Sequence, residues 1–251
     1  MFVPAPYRDA DGSWTGELVR NNPLALLASN GTDGVPYLTH VPVILSPNSS
    51  RNSSDESPDT RALMNGQLWG HMNRANPHWS ALVPGTPVVA VFAGPHGYLS
   101  PTVYARTPAA PTWNFTAVHV HAVLETVEPE RPGEATLETV VATVRTFERD
   151  FGTGWSEAGS LDYFRRILPG VGAFRLTVTG VDGMFKLSQE QDAEVRGRVE
   201  RSFAEQASAG HRAVAALMSR LPPSGCPHHA PAGEPAAPGR PGEGGRLPRA
   251  V

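Results

Sequence analysis

The sequence predicts a mainly β protein, a small antiparallel barrel with a few peripheral α-helices. Three observations carry this. Glycine and proline number 25 each among 251 residues, too many for a helical protein and suited to turns between strands. Short apolar or alternating stretches recur along the chain, several joined by hairpin-type turn signals. Helical patterns come singly between groups of strands, without the regular βαβ alternation of a parallel sheet.

The elements follow in order. Asp11–Asn22 is amphipathic, with Leu18 and Val19 on its apolar side, and predicts a first helix. Pro23–Ser29 (PLALLAS) predicts a buried strand, Asn30–Gly34 (NGTDG) a hairpin turn, and Pro36–Leu45 (PYLTHVPVIL) the returning strand. The polar, low-complexity residues 48–61 predict a flexible loop inserted into the barrel. Gly66–Met72 (GQLWGHM) resumes as a strand. Asn76 then stands as a helix N-cap and Pro77 at the first helical position, for a short helix ending near Pro84. Pro87–Gly94 (PVVAVFAG) is almost continuously apolar and predicts a strand buried on both faces, followed by a Gly/Pro-shaped loop over Phe92–Tyr104. Thr116–Val127 alternates and predicts another strand. Gly133–Phe151 is the clearest helix, and Gly172–Gln189 predicts a final hairpin turning at VDGM. Asp192–Gln206 predicts a charged helix, continued by the apolar Ala213–Met218. The expected organisation is one barrel domain over residues 1–220 and a Pro/Gly-rich, disordered tail over 221–251.

Composition removes several function classes. With 40% hydrophobic and 18% charged residues a sizeable core is expected, and the net charge of −3 does not suit a nucleic-acid binder. A single cysteine, Cys226, excludes an internal disulfide and fits a reducing cytoplasm. No apolar run approaches the ~20 residues that span a membrane. The start MFVPAPYRDADG lacks the basic and apolar regions of a secretory signal. G-x-G-x-x-G, P-loop, paired C-x-x-C and G-x-S-x-G motifs are all absent. Of the 21 basic residues one is a lysine, Lys186. An ammonium and a guanidinium are not equivalent at a tight site, which singles it out.

The densest chemistry lies in Leu68–Ser80 (LWGHMNRANPHWS). Arg74 and the N-terminus of the following helix would suit an anionic ligand tail, a phosphate or a carboxylate. His71 and His78 are each placed to serve as an axial ligand to a metal cofactor. The plainer reading makes His71 a half-buried strand histidine and pairs Arg74 with a surface acid. On the Phe92–Tyr104 loop, Tyr98 accompanies His96, Ser100 and Tyr104. Beyond it Trp113 and Asn114 are apt to stack on and hydrogen-bond a flat ring, or to plug the barrel. His119 and His121 share a strand face but lack a third ligand, and read as surface or interface residues. His228, His229 and Cys226 fall in the tail.

GHMNRANPHW, FAGPHGYLSP, PTWNFTAVHV and FKLSQEQ, in that order, closely resemble the PaiB-like family of FMN-binding negative transcriptional regulators, from Met1 to about Phe203. The resemblance implies a flavin-reductase-like split β-barrel and a homodimer with cofactor sites at the subunit interface. Within the family, MFVP, LASNG…THVP, LWGHMNRANPHW and KLSQEQ look most like the piperazate synthases. That branch binds heme b and closes N-delta-hydroxy-L-ornithine into L-piperazate through an N–N bond. The resemblance implies cofactor contacts from His71, Arg74, Asn76, His78, Trp113, Asn114 and Gln189, with His71 on the iron. It implies catalytic positions at Lys186 and Tyr98. A flavin-binding regulator or oxidoreductase, with FMN in place of heme, is the alternative; the charge does not favour a DNA-binding role.

Overall fold

The computed structural model describes residues 1–9, 12–31, 33–47, 63–64, 66–127 and 133–222. The predicted loop over 48–61 lies outside them, as does the predicted tail beyond Pro222.

Six strands, β1 (Leu24–Ser29), β2 (Tyr37–Leu45), β3 (Gln67–Asn73), β4 (Thr86–Leu99), β5 (Thr112–Thr126) and β6 (Val171–Lys186), close into a barrel in the order β1-β2-β3-β6-β5-β4. Every pairing is antiparallel. The alternation of the sequence explains the closure. On β1 Ala25 and Leu27 point in, on β4 Val88, Ala90 and Phe92, on β5 Val118, Val120, Ala122 and Leu124, and on β6 Phe174, Leu176 and Val178, all buried. The closed order gives each of these six strands a neighbour on both sides.

Helices among the described residues surround the barrel: α1 (Ser13–Asn21), α2 (Pro77–Ala81), α3 (Glu134–Phe151), α4 (Leu161–Ile167), α5 (Ala193–Ala204) and α6 (Ala209–Met218). α3 lies against β2, β3 and β6. Its buried face is mostly threonine (Thr136, Thr139, Thr143, with Val140), and the hydroxyls of Thr139 and Thr143 donate to carbonyls one turn back. α5 and α6 pack against each other and, through Val199, Phe203, Val214 and Met218, extend the core over the other end.

Four expectations need correction. Gly172–Gln189 is no hairpin: β6 runs as one strand to Lys186 and pairs with β5 from Phe174 to Lys186 across a single bulge. Its Asp182-Gly183 does not turn the chain. Asp182 accepts from the Met1 ammonium and pairs with His121 at 3.0 Å. Gly183 exists for close packing, since a Cβ there would stand 2.7 Å from Thr15 Oγ1 of α1. Second, the loop expected over Phe92–Tyr104 is mostly strand. β4 continues to Leu99 across a bulge between Ala93 and His96, and β5 begins at Thr112 to meet it. Third, Pro87–Gly94 is not buried on both faces; Val89 and Val91 are only half-buried. Last, α6 is a separate helix beginning at Ala209, and α4 had no counterpart among the expected elements.

Candidate functional site

The candidate residues divide into two groups at opposite ends of β6. His71 pairs with Ala173, whereas Phe115 pairs with Lys186. The thirteen residue steps from Ala173 to Lys186 (186 − 173) amount to on the order of 40 Å of strand at ~3.3 Å per residue.

At the first end β3 carries Trp69, His71 and Asn73 on its outer face, while Leu68, Gly70 and Met72 face inward. The outer face lies beneath α3. Arg175 of β6 stacks on Trp69, 3.6 Å from the ring centroid, and donates to Thr139 Oγ1 of α3 at 2.7 Å. Beside this pair the imidazole of His71 is half-buried, and its Nδ1 is buried without a hydrogen-bond partner. Burial holds the His71 pKa below the ordinary histidine value. The ring is therefore neutral at neutral pH, with lone-pair capacity that no described residue uses.

Arg74 follows at the strand end. Its Nε donates to Val171 O at 2.9 Å and its guanidinium lies 5.3 Å from the Trp79 ring. The same side chain lines a cleft of ≈ 520 Å³ with Thr136 and Leu137 of α3, Arg165 and Leu168. No ion pair to Arg74 occurs among the described residues.

Asn76 and His78 are occupied in holding the corner together. Asn76 Oδ1 caps α2 by accepting from His78 N at 2.9 Å, and its amide donates to Thr39 Oγ1 at 3.3 Å. His78 is 1% exposed. It bonds Ser29 Oγ through Nε2 and Thr39 Oγ1 through Nδ1, each at 2.9 Å, and stacks on Tyr37. Both nitrogens are used, so of the two histidines only His71 is open to a ligand.

At the second end Tyr98 and Trp113 are cross-strand partners, about half exposed, with ring centroids 5.7 Å apart. Tyr98 is fixed from behind by His211 of α6, whose Nε2 donates to the Tyr98 carbonyl at 3.1 Å. A Cβ on Gly97 would meet the His211 ring at 2.8 Å, which explains the glycine. Asn114 is fully buried and exchanges hydrogen bonds with Ser188 at 2.9 and 3.2 Å. Gln189 locks the turn after β6, accepting from Leu187 N and donating to Phe185 O. Lys186 Nζ donates to Thr112 Oγ1 at 2.5 Å. Asn114 and Gln189 thus shape the backbone, and Tyr98, Trp113 and Lys186 present the surface.

The sequence reading missed Tyr7 and Glu190 at this end. Burial and the nearby Glu190 charge push the Tyr7 pKa up to about 12, and the Lys186 ammonium lies 5.9 Å from the Tyr7 ring centroid. The acid was visible as part of KLSQEQ, but nothing local announced that the N-terminal segment folds back onto it. His119 and His121 share the outer face of β5 as expected, and His121 is engaged by Asp182. Among the described residues no cluster of three or more His, Cys, Asp or Glu is placed to hold a metal, and no helix is long and apolar enough to cross a membrane.

The family model described as "Putative FMN-binding domain" matches residues 1–180. The chain is 24% identical over 192 residues to the protease synthase and sporulation protein PAI 2 of Bacillus subtilis, covering 76% of this chain and 84% of that one. It is also 24% identical over 223 residues to an uncharacterized protein of Emericella nidulans, covering 76% and 85%. Solved structures with similar backbones include an FAD and heme binding protein from Mycobacterium smegmatis (TM-score 0.45, 16% identity, 72% of this chain and 74% of that one). Another is a conserved hypothetical protein from Mycobacterium tuberculosis (0.45, 15%, 74% and 91%). With its six-stranded barrel and a family match over most of its length, the chain belongs to the PaiB-like family of FMN-binding-domain proteins.

Proposed function

We propose that this protein is a heme-dependent piperazate synthase, which cyclises N-delta-hydroxy-L-ornithine to L-piperazate. The observation that carries the cofactor is His71. A flavin needs no imidazole, whereas heme iron would be held by a neutral one, and His71 offers an imidazole whose buried Nδ1 has no partner among the described residues. Arg74, with no ion pair of its own among the described residues, would hold an anionic edge, a heme propionate or equally a flavin phosphate.

The reaction is redox-neutral. The α-amine nitrogen forms a bond to the hydroxylamine nitrogen, the N–O bond breaks, the α-amine gives up a proton, and the departing oxygen leaves as water. The chemistry that heme iron supplies when bound is Lewis acidity toward the hydroxylamine nitrogen. The protein's part is positioning and proton movement. Lys186 either clamps the substrate carboxylate or carries a proton at Nζ, and Thr112 sets its direction. Tyr98 and Trp113 wall the pocket and keep water from a flexible chain that must fold back on itself to close a ring. His71 and Lys186 stand at opposite ends of β6 within one chain, so a site using both is completed by a second copy, and a homodimer is part of the proposal. The rival reading, a flavin-binding member without N–N chemistry, is favoured by the family's description.

The test is direct. Purified protein should carry heme, with a sharp band near ~400 nm in place of the broad flavin band near ~450 nm. It should convert N-delta-hydroxy-L-ornithine to a product lighter by one water with no added reductant. Lys186→Arg should keep the heme and lose at least ~10-fold in turnover, or about 1.4 kcal/mol of transition-state stabilisation. Heme-loaded wild type that forms no such product refutes the synthase, and pure protein carrying flavin refutes the cofactor.

A further inference from the structure

The helix that lies over the outer face of β3 is held more loosely than the rest of the fold. Among the described residues no apolar side chain of α3 joins the contiguous core, whereas Leu18 and Val19 of α1, Val199 and Phe203 of α5 and Met218 of α6 all do. The face that α3 buries carries Thr136, Thr139 and Thr143 with one aliphatic residue, Val140. The Thr139 and Thr143 hydroxyls turn back to carbonyls of the helix itself. An element that buries so little apolar surface separates at a low free-energy cost. A cleft opens at each end of it. One of ≈ 520 Å³ lies between Thr136 and Leu137 of the first turn and Arg74 and Leu168. Another of ≈ 580 Å³ lies between Thr146 and Phe147 and the Ile44–Leu45 end of β2. The chain enters α3 through Gly133 at φ +96° and leaves its far end through Gly154 at φ +95°, two positions able to absorb a hinge rotation.

Between the two clefts the barrel reaches α3 through Arg175. Its Nη1 donates to Thr139 Oγ1 at 2.7 Å while its guanidinium stacks on Trp69. Burial pulls the Arg175 pKa down to about 10, and the charge of Glu138, also on α3, works against that pull. The guanidinium therefore stays charged, and Glu138 adds to its hold on the helix. His71 lies on β3 between Trp69, which carries this guanidinium, and Arg74, which faces Thr136 and Leu137 across the first cleft. The first half of α3 thus runs over the imidazole, and Nδ1 beneath it is sealed from water with no partner among the described residues. A nitrogen in that state is out of reach of a flat cofactor arriving from solvent.

We infer that α3 is a hinged cover over His71, latched to the barrel by Arg175 on Thr139, which lifts to admit a planar, iron-bearing cofactor to Nδ1 and closes behind it. This rests on the reading of His71 as the iron ligand, and it makes Arg175 a positioning residue for cofactor entry.

The main test needs no cofactor. Cys226 is the chain's one cysteine, so in a full-length Cys226→Ser background a single thiol can be placed at will. His71→Cys puts it under α3, Asn73→Cys on the exposed end of the same strand, and Ala122→Cys inside the barrel. Labelling by a small maleimide should be at least ~10-fold slower at position 71 than at 73, and at least ~10-fold faster than at 122, because a cover opens more often than the barrel unfolds. Arg175→Met, which keeps an unbranched stem on Trp69, and Thr139→Val each remove the charged hydrogen bond. Either should speed labelling at position 71 by about 10-fold and speed it less at 122, with circular dichroism melts reporting the folding of each variant. Labelling at 71 as fast as at 73 means no cover, and labelling as slow as at 122 means no local opening. Either result, or no acceleration in a folded latch variant, overturns the inference. Mixing the cofactor-free, full-length protein with excess heme should then give an association rate that levels off as heme rises, at a plateau that Arg175→Met lifts; a rate that climbs linearly in both proteins counts against gated entry. Protein that opens at position 71 but takes up no heme would refute the iron ligand and leave the cover standing, so the two failures are distinguishable.

Discussion

Replacing His78 with alanine separates the structural histidine of the LWGHMNRANPHWS segment from the one assigned to the cofactor. His78 is 1% exposed, and its ring joins Ser29 of β1 to Thr39 of β2 while α2 is capped from Asn76. Its removal leaves the Ser29 hydroxyl buried without that partner, which costs about 2 kcal/mol. Thr39 keeps the Asn76 amide at 3.3 Å, so its loss is nearer ~1 kcal/mol. The emptied space and the lost stacking on Tyr37 add about 1 kcal/mol. The total is about 4 kcal/mol, which in a domain of this size lowers Tm by about 8–16 °C. The assay is thermal unfolding of cofactor-free protein followed by circular dichroism, with cofactor content measured separately at low temperature. A large fall in Tm with cofactor retained is expected. A stable His78→Ala protein that has lost its cofactor would refute the division of labour between the two histidines.

Other expectations follow from the same geometry. Burial depresses the pKa of His71, His78 and His119, each having burial as its largest cause. The unfolded chain therefore binds more protons below the ordinary value of 6.5. Their contribution to stability is complete above that pH and declines as pH falls through the window beneath it; Tm should drop from about pH 8 to about pH 5, less steeply in His78→Gln than in wild type. Gly70→Ala should cost about 1–3 kcal/mol, because a Cβ would crowd Phe174 inside the barrel, with Cε2 at 2.6 Å; a stability change below ~0.5 kcal/mol in a denaturant melt would count against this packing. Asn114→Ala should cost about 2 kcal/mol by releasing Ser188. It should impair turnover more than cofactor content, because it acts at the end of β6 away from His71; cofactor loss matching the activity loss would contradict that.

The sequence declared the barrel more clearly than the geometry of its site. Period-two alternation on β1, β2 and β5, the NGTDG turn and the Asn76-Pro77 helix start all depend on neighbouring residues and were readable. Gly97 and Gly183 misled for a single reason. Glycine marks a turn in isolation, but these two admit a histidine and a helix against the strand. The same limit applied at the site. That His71 keeps a free nitrogen while His78 uses both depends on Ser29 and Thr39, distant in sequence. The approach of Lys186 to the Tyr7 ring joins residues far apart in the chain, and no local pattern encodes it.

The central claim is that His71 ligates heme iron, and the visible absorption spectrum of the His71→Ala protein tests it most directly. The half-buried ring makes no hydrogen bond among the described residues, so its removal should leave a folded dimer that has lost most of its heme, or whose remaining heme shows a shifted Soret band. Restoration of the wild-type band on adding free imidazole would identify the missing ligand. Full heme occupancy with an unchanged spectrum in the folded His71→Ala protein would contradict the assignment.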